Sequence, residues 1–236
     1  MMNEEYTIMI GEKKIRIFPG PAGSPIVYLP CFMDEGKAVA DLVREMTEEP
    51  FTLVSISDLN WDDDLSPWYC APLFKKAAPN GGKADAFLDL LIHKIIPQAE
   101  SQLETAPSYR AIAGYSLAGL FALYSLYRTD IFSRAASMSG SLWFPDFLEY
   151  TRAHEMLRKP DCVYLSLGDR ESRTRNQILQ TVQERTEALE ADLSAAGIPT
   201  VFELNPGNHY QDSDMRSARG IAWMLTQKID ANCPLQ

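Results

Sequence analysis

Gly114-Tyr115-Ser116-Leu117-Ala118-Gly119 places a serine among small residues between two apolar runs. Ala106-Pro107 breaks the chain upstream, and Tyr109-Arg110-Ala111-Ile112-Ala113 reads as a short strand of small and apolar residues that ends at Gly114. Downstream, Leu117 to Tyr127 is apolar on almost every side and lacks proline, the pattern of a buried helix. A serine held between such a strand and helix sits on a tight turn. Small residues two before and two after it are needed because strand and helix pass close together there. The first N–H groups of the helix then point at any negative charge that develops beside the serine. The other reading of the same stretch is a serine that caps its helix.

The rest of the chain alternates strands and helices, as a parallel sheet covered on both faces requires. An opening hairpin is expected from Tyr6–Ile10 and Lys14–Phe18 around Gly11-Glu12, followed by strands at 25–29 and 51–56. Helices are expected over Gly36–Thr47 and Lys83–Leu103, the second bent by Pro97. Two further strands fall at Ser133–Ser139 and Cys162–Leu167. A helix over Asn176–Ala196 carries Ile178, Val182, Leu189 and Leu193 on one stripe, and Gly197 stops it. Thr200–Leu204 gives the last strand and Met215–Gln227 the closing helix. No repeat or linker divides the sequence, so residues 1–236 read as one α/β domain, and Gly140–Asp161 leaves room for a small cap.

Composition narrows the function. Lys+Arg 22 against Asp+Glu 32 gives a net charge of −10, which argues against nucleic acid and anionic membrane as partners. The N-terminus, Met1-Met2-Asn3-Glu4-Glu5, is acidic and no long apolar run follows, so a soluble cytoplasmic protein is expected. Cys31, Cys70, Cys162 and Cys233 share no metal-ligand spacing and read as three core thiols and one on the tail. Asp62-Asp63-Asp64 invites a metal, but a solvated acidic loop is the expected reading.

An exposed serine needs a base, and the chain has three histidines. His93 falls mid-helix and His154 in the polar Thr151–Glu155, where packing or solvation is expected of both. His209, in Asn205-Pro206-Gly207-Asn208-His209-Tyr210, directly follows the last strand, at the carboxyl edge where ligands bind in open α/β sheets. The acid should follow the strand before it, where Gly168-Asp169-Arg170-Glu171 offers two carboxylates. Spacing favours Glu171, which clears the strand end, and Asp169 stays open as the alternative. Nucleophile, acid, base is then the chain order of the α/β-hydrolases, and Gly114–Ala118 resembles their nucleophile elbow.

Four segments together resemble the esterase-D and enterochelin-esterase branch of that superfamily: Gly114–Gly119, Ser139-Gly140-Ser141-Leu142-Trp143, Gly168–Glu171 and Gly207-Asn208-His209-Tyr210. The resemblance runs from about Ile26 to the C-terminus. It implies an α/β-hydrolase fold with a mostly parallel sheet and a minimal cap, and a carboxylic ester hydrolase with a Ser–acid–His triad, a small-molecule ester as its partner and no cofactor. The chain departs from the family in carrying Pro30-Cys31-Phe32-Met33 after the third strand, in place of a His-Gly or Asp-Gly pair. From its acidic N-terminal stretch it is also expected to have no export signal of the kind periplasmic siderophore esterases use.

The backbone N–H groups of Leu117 and, by position, Phe32 are the expected oxyanion donors, with Met33 as second choice. Trp61, Trp68, Trp143 and Tyr115 are expected to wall the substrate pocket, and the tryptophans read equally well as core anchors. The same three residues serve acyltransferases, thioesterases and peptidases, and a relic site would leave a non-catalytic binding protein on the same fold.

Overall fold

The computed structural model describes residues 5–228, and Cys233 lies outside them. The sheet is ordered β1-β2-β4-β3-β7-β8-β9-β10. Its first two strands are β1 (Tyr6–Ile10) and β2 (Lys13–Phe18), then β3 (Ile26–Pro30), β4 (Thr52–Ser57), β7 (Arg110–Tyr115), β8 (Arg134–Met138), β9 (Cys162–Gly168) and β10 (Thr200–Asn205). The β1–β2 and β2–β4 pairings are antiparallel and the remainder are parallel. A hairpin of two-residue strands, β5 (Tyr69–Cys70) and β6 (Asn80–Gly81), lies apart from this sheet and has no signal in the sequence pattern.

After β3 the chain turns to β4 on one side and later to β7 on the other. This reversal of direction opens a crevice at the carboxyl ends of β3 and β7, where open α/β sheets bind ligands. The strands β3, β4, β8 and β9 are buried at every residue, as strands covered on both faces must be.

Two helical layers provide the cover. On one face, α5 (Leu117–Ser125) joins α3 (Ala84–Leu90), α6 (Phe147–Ala153) and α7 (Val182–Ala195). On the other, α1 (Gly36–Met46) packs with α8 (Ser213–Thr226). In α1 the buried residues Gly36, Val39, Ala40 and Val43 recur at helical spacing. All nine residues of α5 are buried, which is why it shows no polar face.

Three expected elements differ in detail. The helix expected over Lys83–Leu103 is α3, a wider π-helical segment at Leu91–Ile95, and α4 (Ile96–Glu100). Pro97 lacks an N–H and crowds the carbonyl four residues back, and the extra residue per turn just before it relieves that clash. The helix expected from Asn176 begins at Val182 after a 3₁₀ turn at Leu179–Thr181, because the Asn176 side chain accepts from the N–H groups of Ile178 and Leu179 at 3.0 and 3.3 Å and holds a turn. Ile178 is therefore exposed, and the buried stripe is Val182, Thr186, Leu189 and Leu193. Gly197 stops the helix at φ +69°, a conformation that favours glycine. The apolar run expected to be helical as far as Tyr127 leaves α5 at Ser125 and ends in turns.

Candidate active site

Ser116 stands between β7 and α5 at φ 59°, ψ −123°, a backbone conformation rare for a residue with a side chain. Its neighbours explain how the chain tolerates the turn. A Cβ on Gly114 would lie 2.2 Å from the Ala118 carbonyl oxygen and 2.7 Å from the Ala118 Cβ. Because that space is absent, Gly114 must be glycine, whereas alanine suffices at 118. On the far side, a Cβ on Gly119 would meet Ser137 Oγ at 2.7 Å, so the helix seats directly on β8. The Ser116 N–H donates to the Met138 carbonyl at 3.0 Å, tying the turn to the neighbouring strand.

Three side chains meet there. His209 Nε2 lies 3.0 Å from Ser116 Oγ, and His209 Nδ1 lies 2.7 Å from Glu171 Oε2. The histidine comes from the loop after β10 and the carboxylate from the loop after β9, so adjacent parallel strands deliver both to the same edge. Asp169 goes elsewhere: its Oδ1 accepts the Gly207 N–H at 2.8 Å and faces Arg170 at 3.6 Å. Asp169 braces the base of the histidine loop while Glu171 reaches the imidazole.

Beside the serine opens a cavity of about 530 Å³, walled in part by Trp61, Phe74, Trp143, Leu179 and Tyr210. This is the size range of a small-ligand site.

Residues 23–212 match the model of the family described as "Putative esterase". The chain belongs to this esterase family. A Bacillus subtilis (strain 168) relative, the uncharacterized protein YbbA, is 23% identical over 182 residues, 74% of this chain and 73% of its own. Among solved structures, the siderophore hydrolase EstA from Aspergillus nidulans aligns with a TM-score of 0.73 at 20% identity, covering 94% of this chain and 93% of its own. An IroE-like serine hydrolase from Shewanella oneidensis aligns at 0.76 and 20% identity over 93% of this chain and 79% of its own. These structures share the α/β-hydrolase fold, and family membership makes the chain an esterase-type hydrolase.

In this esterase the carboxylate beneath the histidine is almost sealed, with 5% of the Glu171 side chain exposed. Burial alone would raise its pKa. The hydrogen bond and charge of His209, the Ser139 hydroxyl at 2.7 Å and the Gly168 N–H at 2.6 Å outweigh burial and hold it below the usual carboxylate range. Ser139 is itself held at φ 45° with its N–H donating to the Ser166 carbonyl at 2.8 Å. Ser141 Oγ lies 3.5 Å from Ser116 Oγ, and the Ser141 N–H donates to the Ser116 carbonyl at 3.0 Å.

The sequence reading missed Arg216 altogether, although its guanidinium lies 3.4 Å from Glu171 Oε1. No local signal marks it, since an arginine in the first turn of a helix usually faces water.

The expected wall residues separate into two groups. Trp61 and Trp143 line the cavity. Trp68 does not, which corrects that expectation. Its indole N–H donates to the Pro145 carbonyl at 3.0 Å, and its ring packs with Tyr124, Phe144 and Tyr150, so it anchors the cap to the body. Tyr115 also lies behind the site, not on its wall, because its hydroxyl donates to the His209 carbonyl at 2.7 Å.

Leu117 opens α5, where the first N–H groups have no intrahelical acceptor. Phe32 is exposed and meets Trp61 edge-on at 5.2 Å. The Met33 N–H donates to the Glu35 carboxylate at 3.0 Å, which occupies the second-choice donor in this conformation.

The remaining candidates lie elsewhere. His93 is exposed beside Asp89, and His154 stacks on Tyr150 at 4.1 Å. Asp63 and Asp64 pair with Lys83 and Lys13 at 2.6 and 2.5 Å, while Asp62 faces the cavity. Among the described residues, no group of three or more His, Cys, Asp or Glu side chains is placed to hold a metal ion. Cys31, Cys70 and Cys162 are free and buried. No described helix is long and apolar enough to cross a membrane.

Proposed function

We propose that the protein hydrolyses a small carboxylic ester through an acyl-enzyme on Ser116, with His209 as general base and Glu171 as its orienting acid. The observation that carries this reading is the unbroken line of 3.0 and 2.7 Å contacts from Ser116 through His209 to Glu171, on a serine strained out of the ordinary backbone region. His209 Nε2 takes the Ser116 proton as Oγ attacks the acyl carbonyl, while Glu171 stabilises the imidazolium. The tetrahedral oxyanion is held by the N–H groups of Leu117 and Phe32, each lowering the barrier by about 3 kcal/mol. Collapse returns the proton from His209 to the departing alcohol. A water molecule then gives its proton to His209 and attacks the acyl carbon, releasing the acid and restoring Ser116.

The cavity sets the scale of the substrate. At about 530 Å³, with Trp61, Phe74, Trp143 and Tyr210 around it, it suits a short or aromatic acyl group. The cytoplasm is the compartment we assign, where the three free, buried cysteines stay reduced. The test is a panel of p-nitrophenyl and aryl esters of graded acyl length. The purified protein should turn over the short and aromatic members, and Ser116→Ala should fall to background, a loss on the order of 10⁶. Wild-type turnover by a folded Ser116→Ala overturns the nucleophile.

A further inference from the structure

Arg216 heads the fully buried side chains by size and is 2% exposed. A guanidinium removed from water at that depth must have partners, and here they are the elements that build the site. Its Nη2 donates to the Pro206 carbonyl at 2.9 Å. Its Nη1 faces the Asn208 carbonyl at 3.1 Å, Ser139 Oγ at 3.2 Å, the Tyr115 hydroxyl at 3.3 Å and Glu171 Oε1 at 3.4 Å. The backbone leaves a slot for it: a Cβ on Gly168 or Gly207 would lie 3.0–3.1 Å from its nitrogens. The fork thus spans the loop that carries His209, the carboxylate that orients it and, through Tyr115, the strand that leads into Ser116.

We infer that Arg216 is a positioning residue that sets the His209–Glu171 pair. This rests on the reading of His209 as base. Two effects are combined in one side chain. The planar fork fixes the Pro206 and Asn208 carbonyls, and with them the approach of the imidazole, which a compact ammonium cannot do at both points. The positive charge, 3.4 Å from Glu171 Oε1, favours that residue as the carboxylate that orients the imidazole. The other titratable groups facing this pair are Tyr115, whose hydroxyl bonds the His209 carbonyl, Tyr210, whose ring meets the imidazole edge-on at 5.3 Å, and Asp169, across the Gly207 N–H.

Arg216→Lys and Arg216→Met separate the two effects, with folding checked by circular dichroism and thermal melting. Both should lower kcat by about tenfold or more with KM little changed. Arg216→Met should also move the acid limb of the kcat/KM profile to higher pH, because the positive charge is gone, whereas Arg216→Lys should leave the limb in place. A second readout is the proton NMR signal of the His209 Nδ1–Glu171 hydrogen bond, which should broaden or vanish in Arg216→Met. Because that signal does not depend on Ser116, measuring it in a Ser116→Ala background tests Arg216 even if the nucleophile is another residue. A folded Arg216→Met with wild-type kcat overturns the inference. So does an equal loss in both variants with the acid limb and the NMR signal unmoved, the behaviour of a residue that only fills space. Should Arg216→Met fail to fold, Arg216→Lys alone must lower kcat, and wild-type kcat there overturns the inference.

Discussion

The floor of the site and its rim obey different rules. Below His209, Glu171 and Arg216 are 5% and 2% exposed in their side chains, and each side chain is held by several partners. Around the cavity mouth, Phe74 and Tyr210 are 57% and 87% exposed. Groups buried in the floor lose heavily when a partner is removed, because nothing replaces it. Groups on the rim touch water on one side and can change without disturbing the line from Ser116 to Glu171. Under the proposed function the floor would set the rate and the rim would set which ester is accepted.

The sharpest way to break this contrast is within the floor itself. Glu171→Gln should lower kcat by about 10⁴, since a neutral partner favours the wrong imidazole tautomer. Asp169→Asn, two residues away, should cost about fivefold or less, because its Oδ1 holds the Gly207 N–H and an exposed Arg170 rather than the imidazole, and asparagine keeps an oxygen there. Measuring kcat of the two purified variants on one activated ester decides the matter, and the reverse ranking would move the acid to Asp169.

Next in size is the rim. Trp143→Ala should raise KM for aromatic esters by about tenfold and leave kcat largely unchanged, through loss of apolar contact area. A collapse of kcat with unchanged KM would place Trp143 in the floor instead.

The smallest effect is on stability. The Glu171 pKa is lowered in the folded protein from its ordinary 4.5. Its ionised form therefore contributes stability that is present above the unfolded value and is lost as pH falls through the lower, folded one. The stability gap between wild type and Glu171→Gln, read from urea midpoints, should be widest near neutral pH and shrink below about 4.5. A gap that widens on acidification contradicts that sign.

The two regions also differ in how much of them the sequence disclosed. Ser116 was legible because its turn demands small neighbours at fixed spacing, and His209 because it follows the last strand directly. Glu171 was preferred over Asp169 by distance from the strand end, and it is Glu171 that lies 2.7 Å from the imidazole. Arg216, Ser139 and the role of Tyr115 were hidden, because their partners come from strands and loops distant in sequence and local pattern carries no record of such meetings. Trp68 was misplaced for a related reason. A tryptophan in a loop looks the same whether its ring closes the core or faces the pocket, and the Pro145 carbonyl that captures its N–H is 77 residues away. The 3₁₀ start of α7 went unread because the Asn176 side chain competes with the helix for its own first N–H groups.

Everything proposed for the site depends on Ser116 being a nucleophile activated by His209. Its most direct test is the mass of the protein and its peptides after brief exposure to a fluorophosphonate. One adduct per chain is expected, on Ser116, absent from Ser116→Ala and formed far more slowly in His209→Ala. An adduct on another residue, or equal labelling of Ser116→Ala, would contradict it.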